Sequence, residues 1–181
     1  EETGIEYEHI KTNFGEDSKR SDFLSVNPNG RIPALVDNDL QLFESMAINL
    51  YLAKHYAPNL YPTNPKDEAL THQWSVWAIN EIEPLQMQIV IQKFFIPTEK
   101  QDQAVVDSAT KSLTRPLSVL DQSLEGREHL IDDHFQIADL NLASVMLLLR
   151  AVKVDLTEFK NVSQWLDRCH SRPALKKAQS L

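Results

Sequence analysis

Residues 58–66, Pro-Asn-Leu-Tyr-Pro-Thr-Asn-Pro-Lys, hold three prolines and two asparagines and can continue neither a helix nor an interior strand. They divide the chain into unequal parts, and the apolar period changes shortly ahead of them. Up to Phe43 the apolar residues fall in short runs and alternations, whereas from Ser45 onward they recur at close to every fourth position. Glycine placement points the same way. Only four glycines occur, at positions 4, 15, 30 and 126, and the long stretch between the last two suits helix, in which few residues need positive φ. Two domains are expected: a small α/β domain over residues 1–58 and an all-helical bundle over residues 66–181.

Within the first part, residues 5–10 (Ile-Glu-Tyr-Glu-His-Ile) alternate apolar and polar side chains and read as a strand. A polar helical stretch over residues 18–26 runs into Asn27-Pro28-Asn29-Gly30, a turn by composition. Residues 32–36 and 40–43 are short apolar runs on either side of Asp37-Asn38-Asp39 and together predict a hairpin. Met46, Ile48, Leu50, Tyr51, Leu52 and Tyr56 then mark a helix that Pro58 stops. Beyond the linker, helices are expected over residues 67–95, 98–124, 137–152 and 162–170, with another after Pro173. At the third of these, Gln136 stands at the N-cap, Asp139 is placed to accept from first-turn amides, and Phe135 and Leu140 form a hydrophobic staple. Gln caps poorly, so this helix start forfeits about 1 kcal/mol against Ser, Thr or Asp.

With 18 Lys and Arg against 26 Asp and Glu, the net charge is −8 and no basic cluster stands out, which argues against a nucleic-acid partner. No apolar run reaches membrane-spanning length and Glu1-Glu2-Thr3-Gly4 has no signal pattern, so no membrane partner is expected. One cysteine, Cys169, rules out an internal disulfide framework and fits a reducing, cytoplasmic compartment.

Two short blocks carry chemistry. In Arg31-Ile32-Pro33-Ala34-Leu35-Val36 a proline opens an apolar strand, a place where its missing N–H is tolerated. A cis Ile32-Pro33 bond would leave the amide and carbonyl of Ile32 free to pair with another peptide backbone. A trans proline that merely opens the strand satisfies the same pattern. In Phe43-Glu44-Ser45-Met46-Ala47-Ile48 a strand passes directly into a helix. Ser45 at the cap or first turn, with the free amides there and the positive end of the dipole, makes a carboxylate site, and Glu44 can take an ammonium group. That pair suits the α-amino acid end of a ligand, although Ser at a helix start also serves simply as a cap.

Taken together the two blocks have a familiar form. Asn27-Pro28-Asn29-Gly30-Arg31-Ile32-Pro33-Ala34-Leu35, with Pro33 eleven residues ahead of Glu44, then Glu44-Ser45-Met46-Ala47-Ile48 and Tyr51-Leu52, resembles the glutathione-site signature of the glutathione transferase family. The likeness runs on through Phe135-Gln136-Ile137-Ala138-Asp139-Leu140, Trp165-Leu166 and Arg172-Pro173-Ala174, with Gln136 where the family usually has Ser or Thr.

The resemblance implies a thioredoxin-like α/β domain followed by an all-α domain, with glutathione as co-substrate. It implies that Pro33 is cis, that the Ile32 backbone pairs with the cysteinyl part of glutathione, and that Glu44 and Ser45 hold the γ-glutamyl amino and carboxylate groups. Arg31 matches a basic position near the glycine end, and an exposed, solvated Arg is the plainer reading of it. In the family a first strand, a catalytic loop and a first helix precede the strand expected at residues 5–10, and the loop carries the Tyr, Ser or Cys that activates the thiol. The catalytic residue is therefore unknown here, and the front segment is expected either to precede Glu1 or to be missing from a truncated chain. A homodimer acting on a small apolar electrophile is implied, and a non-catalytic assembly module is the alternative.

Other residues read more plainly. Cys169 and His170 are adjacent on a helix, point about 100° apart, and do not make a thiolate pair. Asp132, Asp133 and His134, three in a row, do not easily converge on one ion, and no metal is expected. Trp74, Trp77, Ile89, Val90 and Phe94 are core or subunit-interface residues by default, and some of residues 87–95 fit an electrophile pocket by resemblance.

Overall fold

The computed structural model describes residues 1–13 and 15–181, which fall into two compact units, Glu1–Tyr61 and Pro62–Leu181. In the first, a short 3-10 turn, Asp17–Lys19, and helix α1, Ser21–Val26, replace the single helical stretch expected over residues 18–26. The break is Arg20, whose ψ of 150° is extended. Strands β1, Ala34–Asp37, and β2, Leu40–Phe43, form an antiparallel hairpin and are followed at once by helix α2, Ser45–Tyr56. The turn is made possible by Asn38, whose φ of 54° lies in the left-handed region that Asn tolerates.

The strand expected at residues 5–10 is not formed. Tyr7 and Ile10 are 51% and 73% exposed, and the hairpin is the only sheet among the described residues. Alternation predicts a strand only where a neighbouring strand accepts its backbone hydrogen bonds, and this segment has none.

The regular elements of the second unit are all helical. The helix expected over residues 67–95 starts two residues early, because Asn64 Oδ1 accepts from the Asp67 amide at 2.9 Å and Pro65 takes the first helical position. It runs as α3, Pro65–Trp77, a π-helical turn, Ala78–Ile82, α4, Glu83–Val90, and a second π-helical turn, Ile91–Phe95. Pro84 is the physical reason for the first π turn, since its ring and missing N–H disrupt the regular ladder one turn back. Helix α5, Gln103–Ser123, begins at an Asp102 cap that accepts from Ala104 N at 2.9 Å. The stretch expected over residues 137–152 divides at Met146 into α6, Ile137–Val145, and α7, Leu147–Ala151, and α8, Lys160–His170, and α9, Pro173–Ala178, close the unit.

The core of this unit gathers around Trp165, Leu113, Leu117, Leu142, Met146 and Leu166, all essentially without solvent contact. One polar group organises it. The Asp139 carboxylate, 1% exposed, accepts from Trp165 Nε1 at 2.8 Å, from the Leu130 amide at 3.0 Å and from the Gln136 amide at 3.1 Å. Gln136 lies over the first turn of α6 as a capping residue would, but its Oε1 is buried without completing a hydrogen bond. No helix among the described residues is long and apolar enough to cross a membrane.

Candidate functional site

The hairpin register decides where the two chemical blocks meet. Ala34 pairs with Phe43, Leu35 with Leu42, Val36 with Gln41 and Asp37 with Leu40. Pro33 and Glu44 are the next residues outward at one end of the ladder, so Ile32-Pro33 and Glu44-Ser45 continue from the same edge of the hairpin. Antiparallel partners sit about 4.5–5.5 Å apart, which brings the two blocks within reach of one small ligand.

The Ile32-Pro33 bond is cis. Ile32 is 46% exposed, and the ladder begins only at Ala34, so neither the amide nor the carbonyl of Ile32 is used by the hairpin. The turn that leads into it is held from within. Asn27, 2% exposed, donates from Nδ2 to the Arg31 carbonyl at 2.6 Å and accepts at Oδ1 from the Asn29 amide at 3.0 Å. Lys19 Nζ donates to the Gly30 carbonyl at 3.1 Å, tying the turn to the segment before α1. Gly30 is required here, since its φ is +59° and a Cβ would lie 2.9 Å from the Ser18 carbonyl oxygen. Arg31 is exposed beside this turn.

At the other block Glu44 is the N-cap of α2, with φ 71° and ψ 113°, a backbone conformation that non-glycine residues rarely take. Backbone strain of this kind clusters at active sites and ligand clamps. The Glu44 side chain does not cap the helix, and the first intrahelical bond runs from Ile48 N to Glu44 O at 3.0 Å. The amides of Ser45, Met46 and Ala47 therefore have no acceptor within the helix. Ser45 is the first helical residue and exposed, so it is not the cap that its residue type allows. Free amides, a hydroxyl and the positive end of the dipole coincide at this point.

Sequence reasoning singled out Ile32, Pro33, Glu44, Ser45 and Arg31, and the first four share one end of the hairpin. It missed Asn27 and Lys19 as the residues that hold the turn, for which the only signal was the Asn-Pro-Asn-Gly composition. Nothing in the residue type announced the positive φ of Glu44.

Elsewhere, Cys169 is buried and burial pushes its thiol up to about 12, so it is no thiolate nucleophile. His170 uses Nε2 to donate to the Ala143 carbonyl at 2.8 Å, and burial lowers its basicity. The donor atoms of Asp132, Asp133 and His134 lie within 4.8 Å of one another on an exposed loop, closer than three consecutive residues were expected to come. His134 Nδ1 faces Asp133 Oδ1 at 3.2 Å, while its Nε2 is 3.1 Å from Gln136 Nε2. Trp74, Ile89 and Val90 are buried, Trp77 is half-buried edge-on to Trp74, and Phe94 is 59% exposed and outside the core.

Comparison with known proteins agrees with this architecture. Residues 1–54 match the family model described as glutathione S-transferase, N-terminal domain, and residues 82–173 match glutathione S-transferase, C-terminal domain. The chain is 33% identical to glutathione S-transferase 1 of Zea mays over 189 residues, covering 100% of this chain and 87% of that protein. It is 32% identical to glutathione S-transferase GstB of Escherichia coli K12, covering 98% of this chain and 87% of the relative. Among solved structures, the theta class glutathione S-transferase of Xanthomonas axonopodis pv. citri, with glutathione bound, superposes with a TM-score of 0.90 at 28% identity, covering 97% of this chain and 86% of that one. This chain belongs to the glutathione S-transferase family, with a thioredoxin-like N-terminal domain and a helical C-terminal domain.

Proposed function

We propose that the protein is a glutathione transferase that holds glutathione at the shared end of the β1–β2 hairpin and passes its thiolate to a small apolar electrophile. The observation that carries this reading is the register Ala34↔Phe43, which sets the unused Ile32 backbone beside the uncapped start of α2. In it, the Ile32 N–H and C=O pair with the cysteinyl backbone of glutathione as an added strand would. The γ-glutamyl carboxylate accepts from the first-turn amides of α2 and from the Ser45 hydroxyl, and Glu44 accepts from the γ-glutamyl ammonium. Arg31 serves the glycine carboxylate.

Glutathione supplies the reacting thiol. It loses its proton to solvent water, the thiolate sulfur attacks the electrophilic carbon, and a C–S bond forms as the leaving group departs with its electron pair. The residues assigned here bind and orient. Ile91, Phe94 and Phe95 are 43%, 59% and 67% exposed and offer apolar surface of the kind a small apolar electrophile needs. Family membership supports a homodimer, and the single, buried Cys169 supports a reducing, cytoplasmic setting.

The test is the melting temperature of the full chain against glutathione concentration, beside Ser45→Ala. A ligand that binds only the native state raises the transition by mass action, and loss of one charge-assisted hydrogen bond weakens binding by about 1.5–3 kcal/mol. A folded wild type that shows no shift with millimolar glutathione overturns the assignment. Sedimentation at micromolar concentration that finds only a monomer overturns the homodimer.

A further inference from the structure

Helix α2 carries the proposed anion site at its first turn. Ile48 and Ala53 are its buried residues, and Met46, Leu50, Tyr51 and Leu52 are half-buried beside them. Apolar contact of this kind is non-directional, so it sets the face the helix buries more firmly than the helix's exact rotation about its axis, which directional polar contacts fix. At the start of α2 the restraint is covalent, through Glu44 to β2. At the far end the restraint is polar. Asp37, the last residue of β1, presents one carboxylate oxygen, Oδ2, to two phenols of α2: Tyr51 donates at 2.8 Å and Tyr56 donates to the same oxygen. The aromatic rings brace one another there. His55 stacks on Tyr51 with centroids 5.0 Å apart, and Tyr56 meets both edge-on, at 6.2 Å from Tyr51 and 5.6 Å from His55. The two phenol hydroxyls, Tyr56 above all, hold the Asp37 carboxyl below the ordinary carboxylate range, so it is ionised and accepts from both at neutral pH.

We propose that Asp37 is a positioning residue for glutathione: by clamping Tyr51 and Tyr56 it fixes the rotation of α2, and with it the aim of the Ser45 hydroxyl and first-turn amides toward the Ile32 backbone. Asp37 lies at the end of the ladder opposite Ala34↔Phe43 and touches none of the assigned ligand-binding groups. Its leverage follows from helix geometry. The rise from Ser45 to Tyr51 is about 9 Å, and a roll of about 20° moves a side-chain atom about 4 Å from the axis by about 1.4 Å. That displacement is enough to spoil a hydrogen bond whose useful range is a few tenths of an ångström. The proposal rests on the placing of glutathione at Ser45.

The experiment is calorimetric titration of glutathione into the folded full chain for six proteins: wild type, Asp37→Ala, Asp37→Asn, Tyr51→Phe/Tyr56→Phe, the same double variant with Asp37→Ala added, and Ser45→Ala, with each melting temperature recorded. The Asn variant keeps an oxygen that accepts from both phenols, so it is expected to bind within about twofold of wild type, while Asp37→Ala weakens binding about tenfold. Tyr51→Phe/Tyr56→Phe is expected to reproduce the Ala result, and adding Asp37→Ala to it to change nothing further. Because the double Phe variant keeps the aromatic volume, it tests the clamp even if Asp37→Ala fails to fold. Wild-type affinity in a folded double Phe variant, or loss in Asp37→Asn equal to that in Asp37→Ala, overturns the proposal. Ser45→Ala separates the two readings: if it weakens binding and the clamp variants do not, only the clamp is wrong, and if it too is without effect, the site itself is misplaced and the clamp falls with it.

Discussion

Replacing Asp139 by Ala removes one carboxylate and orphans three buried donors, the Trp165 indole and the amides of Leu130 and Gln136. Each unsatisfied buried donor costs about 1–3 kcal/mol. The three share one acceptor and do not add, and the variant is also relieved of a buried charge, so the net loss is about 3–5 kcal/mol. That is a large part of the about 5–15 kcal/mol that holds an ordinary domain. Asp139→Asn keeps the oxygen that serves Trp165 and Leu130 but turns an NH2 toward the Gln136 amide, so about half the loss is expected.

Urea unfolding followed by tryptophan fluorescence measures both variants. A second signature comes from pH. Burial raises the Asp139 carboxyl above its ordinary value, against the Trp165, Gln136 and Leu130 hydrogen bonds that lower it. The folded state then takes up a proton more readily than the unfolded chain. The linked stability is fully present below the unfolded value near 3.8 and is lost as pH rises through the raised folded value. This slope is expected in the wild type and absent from both variants. A loss below about 1 kcal/mol in Asp139→Ala, in a transition that stays two-state, would show that water or the Gln136 side chain already satisfies those donors and would refute the reasoning.

Gly30→Ala is expected to cost about 1–2 kcal/mol for a left-handed φ alone, and more from the crowding against Ser18, with weaker glutathione binding because the Asn27–Arg31 turn shifts; unchanged melting and affinity would dismiss the constraint. Gln136→Ser replaces a side chain whose oxygen bonds nothing with one that can cap α6, and a gain of about 1 kcal/mol in urea is expected, whereas a loss would show that Gln136 packing outweighs its poor capping. Cys169, buried and with its thiol pushed up to about 12, should resist alkylation by iodoacetamide in the native protein at pH 8 and react fully in urea; labelling at the same rate in both would contradict its burial.

Local chemistry was legible in the residues because it depends on short spacings. The linker prolines, the β1–β2 hairpin and the span of α2 follow from turn propensity and apolar period, which act over a few residues. The same is true of the Glu44-Ser45 junction, where a strand meets a helix with no room between. The strand read at residues 5–10 went wrong for the opposite reason, since alternation describes which face is apolar and not whether a partner strand is present to accept the hydrogen bonds.

What tertiary structure alone decided is the set of relations between residues far apart in the chain. That Glu44 holds a positive φ while Ser45 is helical, and that Asp37 receives both Tyr51 and Tyr56, depend on how the hairpin and α2 pack, whereas the cis Ile32-Pro33 bond was already implied by resemblance though not by the residue types. The burial of Asp139 beneath Trp165, 26 residues away, belongs to the same class. Propensity acts through neighbours in sequence, whereas hydrogen bonds and strain of this kind exist only once packing has closed the distance, so the sequence specified the pieces of the proposed glutathione site and the fold determined how they face one another.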